Sequence, residues 1–181
     1  MQFETKTITL KDGRSALLRA PVASDAPALL GFLKTITSET HFLLREREEC
    51  DLSVEQEEAW ITRLNESEHD IMILCEVDGR IVGNADLHVR ARRKTLHRGT
   101  LGIGIIREFW NLGIGSALFG QLIDVGRSTK LEQLELSYVE GNERGCALYE
   151  KMGFTEIARH PNAFHLPDGS SAAEIFMVKT L

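Results

Sequence analysis

Two glycines separated by one residue, Gly113 and Gly115, carry the clearest sign of chemistry in the sequence. They follow an uncharged stretch, Leu101–Ile106, in which glycine alternates with apolar residues as in a buried strand, and they precede an amphipathic helix predicted over Ser116–Val125. A strand, a glycine turn and a helix in this order direct the first free N–H groups of the helix outward. Because those groups and the helix dipole attract anions, the pattern predicts a phosphate-binding turn.

Two other glycine motifs do not fit this turn. A dinucleotide-binding fingerprint needs a third glycine at position 118, where the sequence has Leu118. A nucleotide-hydrolase phosphate loop ends in Gly-Lys-Ser/Thr, and no lysine lies between Lys94 and Lys130. The turn therefore belongs to neither class.

The segment REFWNLGIGSALFGQLI resembles the acetyl-CoA-binding motif of the GNAT N-acetyltransferases, in the form found in small bacterial members. The family pattern is Arg/Gln-x-x-Gly-x-Gly/Ala; Gly113 and Gly115 match it, and Trp110 stands where the Arg or Gln usually lies. A second segment, VEGNERGCALYEKMGF, resembles the next block of the family at the right distance. The matching residues of that block are Asn142, Ala147, Tyr149, Lys151, Gly153 and Phe154. The resemblance covers residues 14–181.

The resemblance implies acetyl-CoA as the acyl donor and assigns the residues that would hold it. Backbone N–H groups of the turn would bind the pyrophosphate, and the glycines would keep Cβ atoms out of its way. The edge of Ile103 and Ile105 would pair with the pantetheine arm, and one of these amides would polarise the thioester carbonyl. Asn142 would contact the arm as well as cap its helix. The implied turn residues are Leu112, Gly113, Ile114, Gly115 and Ser116.

By the same resemblance, Tyr149 is the general acid of the reaction. A phenol with a pKa near 10 is protonated at neutral pH and can donate to a departing thiolate. Arg107, Arg144 and Lys151 could meet the cofactor phosphates or remain solvated charges. The central strand offers no carboxylate as a base, so we expect a water-relayed base or none beyond bulk equilibrium. No cysteine or serine stands in a nucleophile setting, which favours direct transfer over an acyl-enzyme.

The acceptor is expected to be a primary amine of a small molecule or a protein, and two charged segments point in opposite directions. Seven carboxylates over residues 45–58 would suit a cationic amine, or form a solvated helix face. The basic hairpin predicted over residues 88–98 could meet an anionic acceptor or RNA, or be an exposed loop. A non-catalytic acyl-CoA-binding or regulatory module on the same fold is the alternative function.

Composition sets the remaining expectations. The 181 residues suffice for a single N-acetyltransferase domain over residues 1–181, and a net charge of −6 argues against nucleic acid or an anionic membrane as a partner. Cys50, Cys75 and Cys146 are scattered and odd in number, which indicates reduced thiols and neither a disulfide framework nor a metal site. No apolar run has the length of a membrane span. We expect a cytoplasmic protein that binds no metal. The resemblance also implies a possible homodimer, because members of the family often pair through their late strands.

The predicted fold is a mixed, mainly antiparallel α/β sheet flanked by helices, which the resemblance identifies as the acyl-CoA N-acyltransferase fold. Ser24 is the expected N-cap of the first helix, and Ser53 with Gln56 forms a capping box for the second, whose buried face includes Trp60. Residues 161–171 are expected to form a loop. The predicted strands span residues 14–19, 71–77, 81–89, 101–106, 131–138, 154–159 and 174–179, and the predicted helices span 24–37, 53–64, 116–125 and 142–152.

Overall fold

The architecture is a sheet of eight strands with helices on both faces, as seen in a computed structural model that describes residues 3–90 and 92–181. The strands are β1 (Lys6–Thr9), β2 (Ser15–Arg19), β3 (Asp70–Val77), β4 (Arg80–Val89), β5 (Arg98–Ile105), β6 (Gln133–Val139), β7 (Thr155–His165) and β8 (Ser171–Thr180). The helices are α1 (Ala26–Glu39), α2 (Val54–Glu66), α3 (Ile114–Ser128) and α4 (Glu143–Lys151).

The strands lie in the order β1-β2-β3-β4-β5-β6-β8-β7. Only β5 and β6 run parallel among these neighbours, and the other pairs are antiparallel. The turn between β3 and β4 places Asp78 at φ 52° and Gly79 at φ 76°, the conformation that a two-residue hairpin requires. The predicted mixed, mainly antiparallel sheet is confirmed.

The two parallel strands separate after a short contact. β5 pairs with β6 only from Arg98 to Thr100, although β5 continues to Ile105 along β4 and β6 continues to Val139 along β8. A gap therefore opens in the middle of the sheet, between the second halves of β5 and β6. The backbone groups that would have joined these two strands face that gap.

Alternate residues of β5 face opposite helical layers. A Cβ at Gly104 would lie 2.8 Å from Ile36 Cδ1 of α1. Ile105, the next residue, points the other way, with its Cδ1 3.5 Å from the position of a Cβ at Gly115 in α3. One face of the sheet therefore carries α1, with α2 packed beside it, and the other carries α3 and α4.

The sequence prediction missed both edges of the sheet. β1 was not predicted, because Lys6–Thr9 is polar and mostly exposed and so lacks the period-two apolar signal of a half-buried strand. The expected loop over residues 161–171 is wrong in its first half, since β7 continues to His165. β7 is an exposed edge strand, where Pro161 removes no ladder hydrogen bond that the sheet needs.

Two local predictions for the first helices are wrong, and one is confirmed. Ser24 does not cap α1, because a 3₁₀ turn precedes the helix and Asp25 accepts the Val22 N–H instead (2.8 Å). Trp60 is 36 % exposed, so Ile61 supplies the buried face of α2 without it. Ser53 and Gln56 form the expected capping box, with Ser53 Oγ accepting the Gln56 N–H at 3.3 Å.

Candidate functional site

The turn before α3 has the backbone geometry of an anion-binding site. Asn111 (φ 64°) and Gly113 (φ 98°) both adopt left-handed conformations, and Gly113 is the N-cap of α3 without a capping side chain. The first intrahelical bond at this end runs from the Ala117 N–H to the Gly113 carbonyl (3.1 Å). The N–H groups of Ile114, Gly115 and Ser116 therefore have no acceptor within the helix and are available to a ligand.

The two glycines of the turn serve different purposes. Gly113 is required by its positive φ, which a side chain would strain. Gly115 lies against α4, because its Cβ would lie 2.9 Å from Leu148 Cδ2. A larger residue there would displace this leucine side chain, a contact that the sequence analysis did not predict.

Two basic residues of α4 and one from the turn between β1 and β2 surround the glycine turn. Lys151 Nζ donates to Ser116 Oγ at 3.0 Å, and Arg144 Nη1 donates to Asn111 Oδ1 at 2.8 Å. The Lys11 N–H, in the turn between β1 and β2, donates to the Leu112 carbonyl at 3.1 Å, which brings this lysine beside the loop. The sequence could not place Lys11 here, because the contact crosses about a hundred residues of chain.

Trp110 stabilises the local structure at the position where the family usually has Arg or Gln. Its indole N–H donates to the Ile105 carbonyl at 2.7 Å, at the end of β5. The Arg144 guanidinium lies 4.4 Å from the centroid of the Trp110 ring, and that of Arg107 lies 5.4 Å from it. The tryptophan therefore supplies no charge itself but holds two arginines next to the turn.

Replacing Trp110 with phenylalanine is expected to lower the free energy of unfolding by about 1 kcal/mol, because an aromatic ring remains while the Ile105 carbonyl loses its donor. Urea denaturation followed by circular dichroism measures the change. Trp60→Phe is the matched control, since that side chain is exposed and should leave stability unaltered. Equal stability of the Trp110 variant and the wild type would contradict the assigned hydrogen bond.

The edge of β5 that faces the gap is formed by odd-numbered residues. The Ile106 N–H donates to the Val82 carbonyl of β4 at 3.0 Å. Because antiparallel ladders alternate, the N–H and C=O groups of Leu101, Ile103 and Ile105 point away from β4 and toward the gap. Ile103, which the sequence analysis assigned to the cofactor arm, thus presents both backbone groups where an extended ligand can pair, whereas Ile105 presents its N–H, because its carbonyl accepts the Trp110 indole N–H.

Tyr149 lies on the α3 side of the sheet, in an aromatic cluster. Its ring centroid is 5.5 Å from that of Tyr138 and 5.6 Å from that of Phe119, and the residue is 7 % exposed. Burial raises the pKa of Tyr149 to about 12, so the phenol keeps its proton at any physiological pH. Within the described parts of the chain its hydroxyl has no hydrogen-bond partner, and it is not sealed from solvent.

Asn142 caps α4, the helix that carries Tyr149. Its Oδ1 accepts the Gly145 N–H at 2.9 Å, so the predicted cap is confirmed. A cavity of about 260 Å³ adjoins this helix end and is lined by Asn142, Tyr138 and Cys146. The side chain therefore has access to a ligand at this end of β6, in addition to its capping bond.

The face of the sheet toward α1 carries polar groups that the sequence analysis did not single out. Asn84 and Asp86 of β4 lie across from Gly104 and Gly102 of β5. A Cβ at Gly102 would lie 2.8 Å from Asp86 Oδ1, and one at Gly104 would lie 3.1 Å from Asn84 Oδ1. Polar residues at alternate positions of an otherwise apolar strand were the available signal, and the two side chains occupy the space that the glycines leave.

The described residues contain neither a membrane-spanning helix nor a metal-binding cluster of side chains. None of their helices is both long and apolar enough to cross a lipid bilayer. Across residues 3–90 and 92–181, no group of three or more His, Cys, Asp or Glu side chains is arranged to hold a metal ion. Cys50 and Cys75 are buried free thiols and Cys146 is a partly buried one.

Known proteins similar to this chain are acetyltransferases. Residues 35–154 match the model of the Acetyltransferase (GNAT) family. L-amino acid N-acetyltransferase AaaT of Escherichia coli (strain K12) is 25 % identical over 121 residues, which cover 66 % of this chain and 74 % of that protein.

Solved structures of acetyltransferases show the same fold. A GNAT-family acetyltransferase from Streptococcus pneumoniae superposes with a TM-score of 0.87 at 26 % identity, covering 92 % of this chain and 99 % of the other. YncA, a putative acetyltransferase from Salmonella typhimurium solved with acetyl-CoA, superposes with a TM-score of 0.79 at 18 % identity over 92 % and 94 % of the two chains. The sequence-based resemblance is confirmed, and the chain belongs to the acetyltransferase (GNAT) family as an N-acetyltransferase.

Proposed function

We propose that the protein transfers the acetyl group of acetyl-CoA directly to a primary amine of a small molecule or a protein. The observation that carries this proposal is the gap between β5 and β6, which leads into a helix N-terminus surrounded by Lys11, Arg144 and Lys151. A ligand with an extended arm and a charged pyrophosphate matches both parts of this arrangement. Acetyl-CoA has these parts in this order.

The phosphate end of the donor would bind at the turn. The N–H groups of Ile114, Gly115 and Ser116 supply neutral donors, and the basic side chains supply charge-assisted ones. An open groove of about 380 Å³ continues along α3 from Ser116, with Lys151 and Lys179 among its lining residues. The adenosine end of the cofactor, which carries a further phosphate, would lie in this groove.

The reactive end would lie in the gap. The arm would pair with the free edge of β5, so that the Ile103 N–H reaches the thioester carbonyl and stabilises the negative charge that develops there. A neutral amine attacks that carbonyl carbon, a C–N bond forms and the C–S bond breaks. Tyr149 then gives its phenolic proton to the departing thiolate and regains a proton from the amide nitrogen through water.

Titration calorimetry with two ligands tests the cofactor assignment without a mutation. We expect acetyl-CoA to bind and S-acetylpantetheine, which lacks the nucleotide and its phosphates, to bind at least about 100-fold more weakly, because charged hydrogen bonds contribute roughly 1.5–3 kcal/mol each. Equal affinities for acetyl-CoA and S-acetylpantetheine would contradict the assignment of the phosphates to the turn. No binding of acetyl-CoA would contradict the proposed function.

Release of free thiol from acetyl-CoA then tests for transfer. The amine panel should begin with L-amino acids, the substrates in the name of the relative AaaT, and should include polyamines and peptides with free N-termini. Turnover with any of them supports the proposal. Tight binding of acetyl-CoA with no thiol release from any amine would instead support a non-catalytic acyl-CoA-binding module.

A further inference from the structure

Asp86 faces β5 beside the point where the acetyl group is expected, whereas Glu135 of β6, which pairs with Thr100 of β5, forms an ion pair with Arg98 (3.1 Å). Asp86 of β4 pairs in register with Gly102, and its Oδ1 lies over that glycine, on the α1 side of the sheet. The next residue of β5, Ile103, turns its backbone toward the gap. The carboxylate is therefore one residue away from the amide assigned to the thioester carbonyl, and on the face opposite to the phosphate turn.

The polar groups near Asp86 on the same face of the sheet bond to other residues and not to Asp86. His88 contacts the carboxylate of Asp70, which also accepts the Ser67 hydroxyl at 2.7 Å. Asp86 has no hydrogen bond or ion pair within the described residues, yet neither of its oxygens is sealed from solvent. A carboxylate that is costly to bury and is not stabilised by the protein is suited to receive a cationic ligand.

The pKa of the Asp86 carboxyl is suitable for a general base at neutral pH. The pKa of Asp86 is raised to about 6, chiefly by burial; His88 opposes this increase and the charge of Asp70 contributes to it. The facing stretch of β5, Thr100 to Gly104, carries no charge. Asp86 is thus ionised at pH 7 and is a stronger base than an ordinary aspartate.

We propose that Asp86 binds the acceptor ammonium group and takes its proton, so that the amine becomes the nucleophile; this rests on the acetyl transfer proposed above. The ammonium gives one proton to Asp86 Oδ, directly or through a water molecule, and the neutral nitrogen forms the C–N bond as the C–S bond breaks. Tyr149 protonates the thiolate and is restored by the second amine proton. Asp86 returns its proton to solvent after the product leaves.

The assignment specifies the acceptor as an amine that is cationic in solution. The Asp86 and Asn84 side chains lie over Gly102 and Gly104, so Asn84 is a second polar group beside Asp86 on this face. Phe32 and Ile36 of α1 lie against the same stretch of β5. The site therefore combines one negative charge with an apolar wall, which suits an aliphatic primary amine.

Asp86→Asn tests this role, because it keeps the shape of the side chain and removes its basicity. We expect acetyl-CoA affinity within twofold of wild type and a fall in kcat/KM for the best amine of about 100-fold or more. Asp86→Glu should restore part of the rate. The matched control is Asp78→Asn, an exposed carboxylate in the turn between β3 and β4, which should change neither quantity. A rate for Asp86→Asn within threefold of wild type would overturn the proposal.

The pH profile separates a base from a structural carboxylate. In the wild type, kcat/KM should fall as the pH drops through about 6, since protonated Asp86 cannot accept a proton. Asp86→Asn should lose this break. His88→Gln, which removes the neighbouring imidazole, is the necessary comparison and should keep the break. Loss of the break in the His88 variant alone would assign it to His88 and overturn the proposal.

An NMR titration of the Asp86 carboxyl does not depend on catalytic activity. It therefore tests the role of Asp86 separately from the proposed acetyl transfer. The ¹³C resonance of the Asp86 carboxyl, assigned by its absence in Asp86→Asn, should titrate with a midpoint of about 6. A midpoint near 3.9, the value of a free aspartate, would overturn the role of Asp86. Failure of the wild type to bind acetyl-CoA would instead contradict the proposed function, whatever the carboxyl midpoint.

Discussion

Replacing Tyr149 with phenylalanine should slow acetyl transfer by about 100-fold or more while leaving acetyl-CoA binding unchanged. The ring would keep its contacts with Phe119 and Tyr138, so the aromatic cluster is preserved and only the proton donor is lost. Because burial raises the pKa of Tyr149 to about 12, the wild-type phenol stays protonated through the neutral and moderately alkaline range. Steady-state thiol release measures the rate, and calorimetry measures the affinity.

The other tyrosine of the chain provides the control. Tyr138 lies in the same cluster, and burial and a hydrogen bond with the Cys146 thiol raise its pKa. Its phenol already has a partner, so Tyr138→Phe should cost much less activity than Tyr149→Phe. A large loss in the Tyr138 variant together with a normal rate for Tyr149→Phe would transfer the role of general acid to Tyr138. Normal rates in both would exclude a tyrosine donor.

Reversing the charge of Arg144 should weaken acetyl-CoA binding by about 10- to 100-fold, because a charged hydrogen bond to phosphate is replaced by repulsion. Arg144 lies in the first turn of α4 and reaches across Trp110 to Asn111 of the glycine turn before α3. A glutamate in the first turn of a helix is favourable to the helix dipole, so Arg144→Glu should not unfold α4. Titration calorimetry at low ionic strength measures the loss.

Two comparisons make the Arg144 result specific. Lys34→Glu introduces the same charge change at an exposed position of α1, on the opposite face of the sheet, and should leave the affinity unaltered. Binding of S-acetylpantetheine should be the same in wild type and Arg144→Glu, because that ligand lacks the nucleotide phosphates. A variant with wild-type affinity for acetyl-CoA would show that Arg144 only packs on Trp110.

The sequence was most informative where the signal is local. The order of strand, glycine turn and helix depends on neighbouring residues, and the structure places an N-cap glycine with positive φ at Gly113. The caps made by Ser53 and Asn142 also depend on residues three apart. Elements with a clear apolar period were located to within a few residues. The polar edge strands β1 and the end of β7 lack that period and were missed.

The parts of the site that escaped prediction depend on contacts between distant segments. The packing of Gly115 against Leu148 joins α3 to α4, and the contact of Lys11 with Leu112 joins the first hairpin to the turn. Asp86 was not predicted, because β5 itself carries no carboxylate and the side chain that lies over Gly102 comes from the neighbouring strand. Pairing register, which a single sequence does not fix, decides which side chain lies over Gly102.

The separation of β5 from β6 also determines which contacts join the two halves of the sheet. Three residue pairs at Arg98–Thr100 join the sheet half formed by β1–β5 to the half formed by β6, β8 and β7. Helix α3 spans the two halves, since Ile114 at its start packs on Gly83 of β4 and Gly126 near its end packs on Leu134 of β6. The centre of the sheet is therefore held by only a short ladder, and the helix that begins at the glycine turn contacts both halves and connects them across the gap.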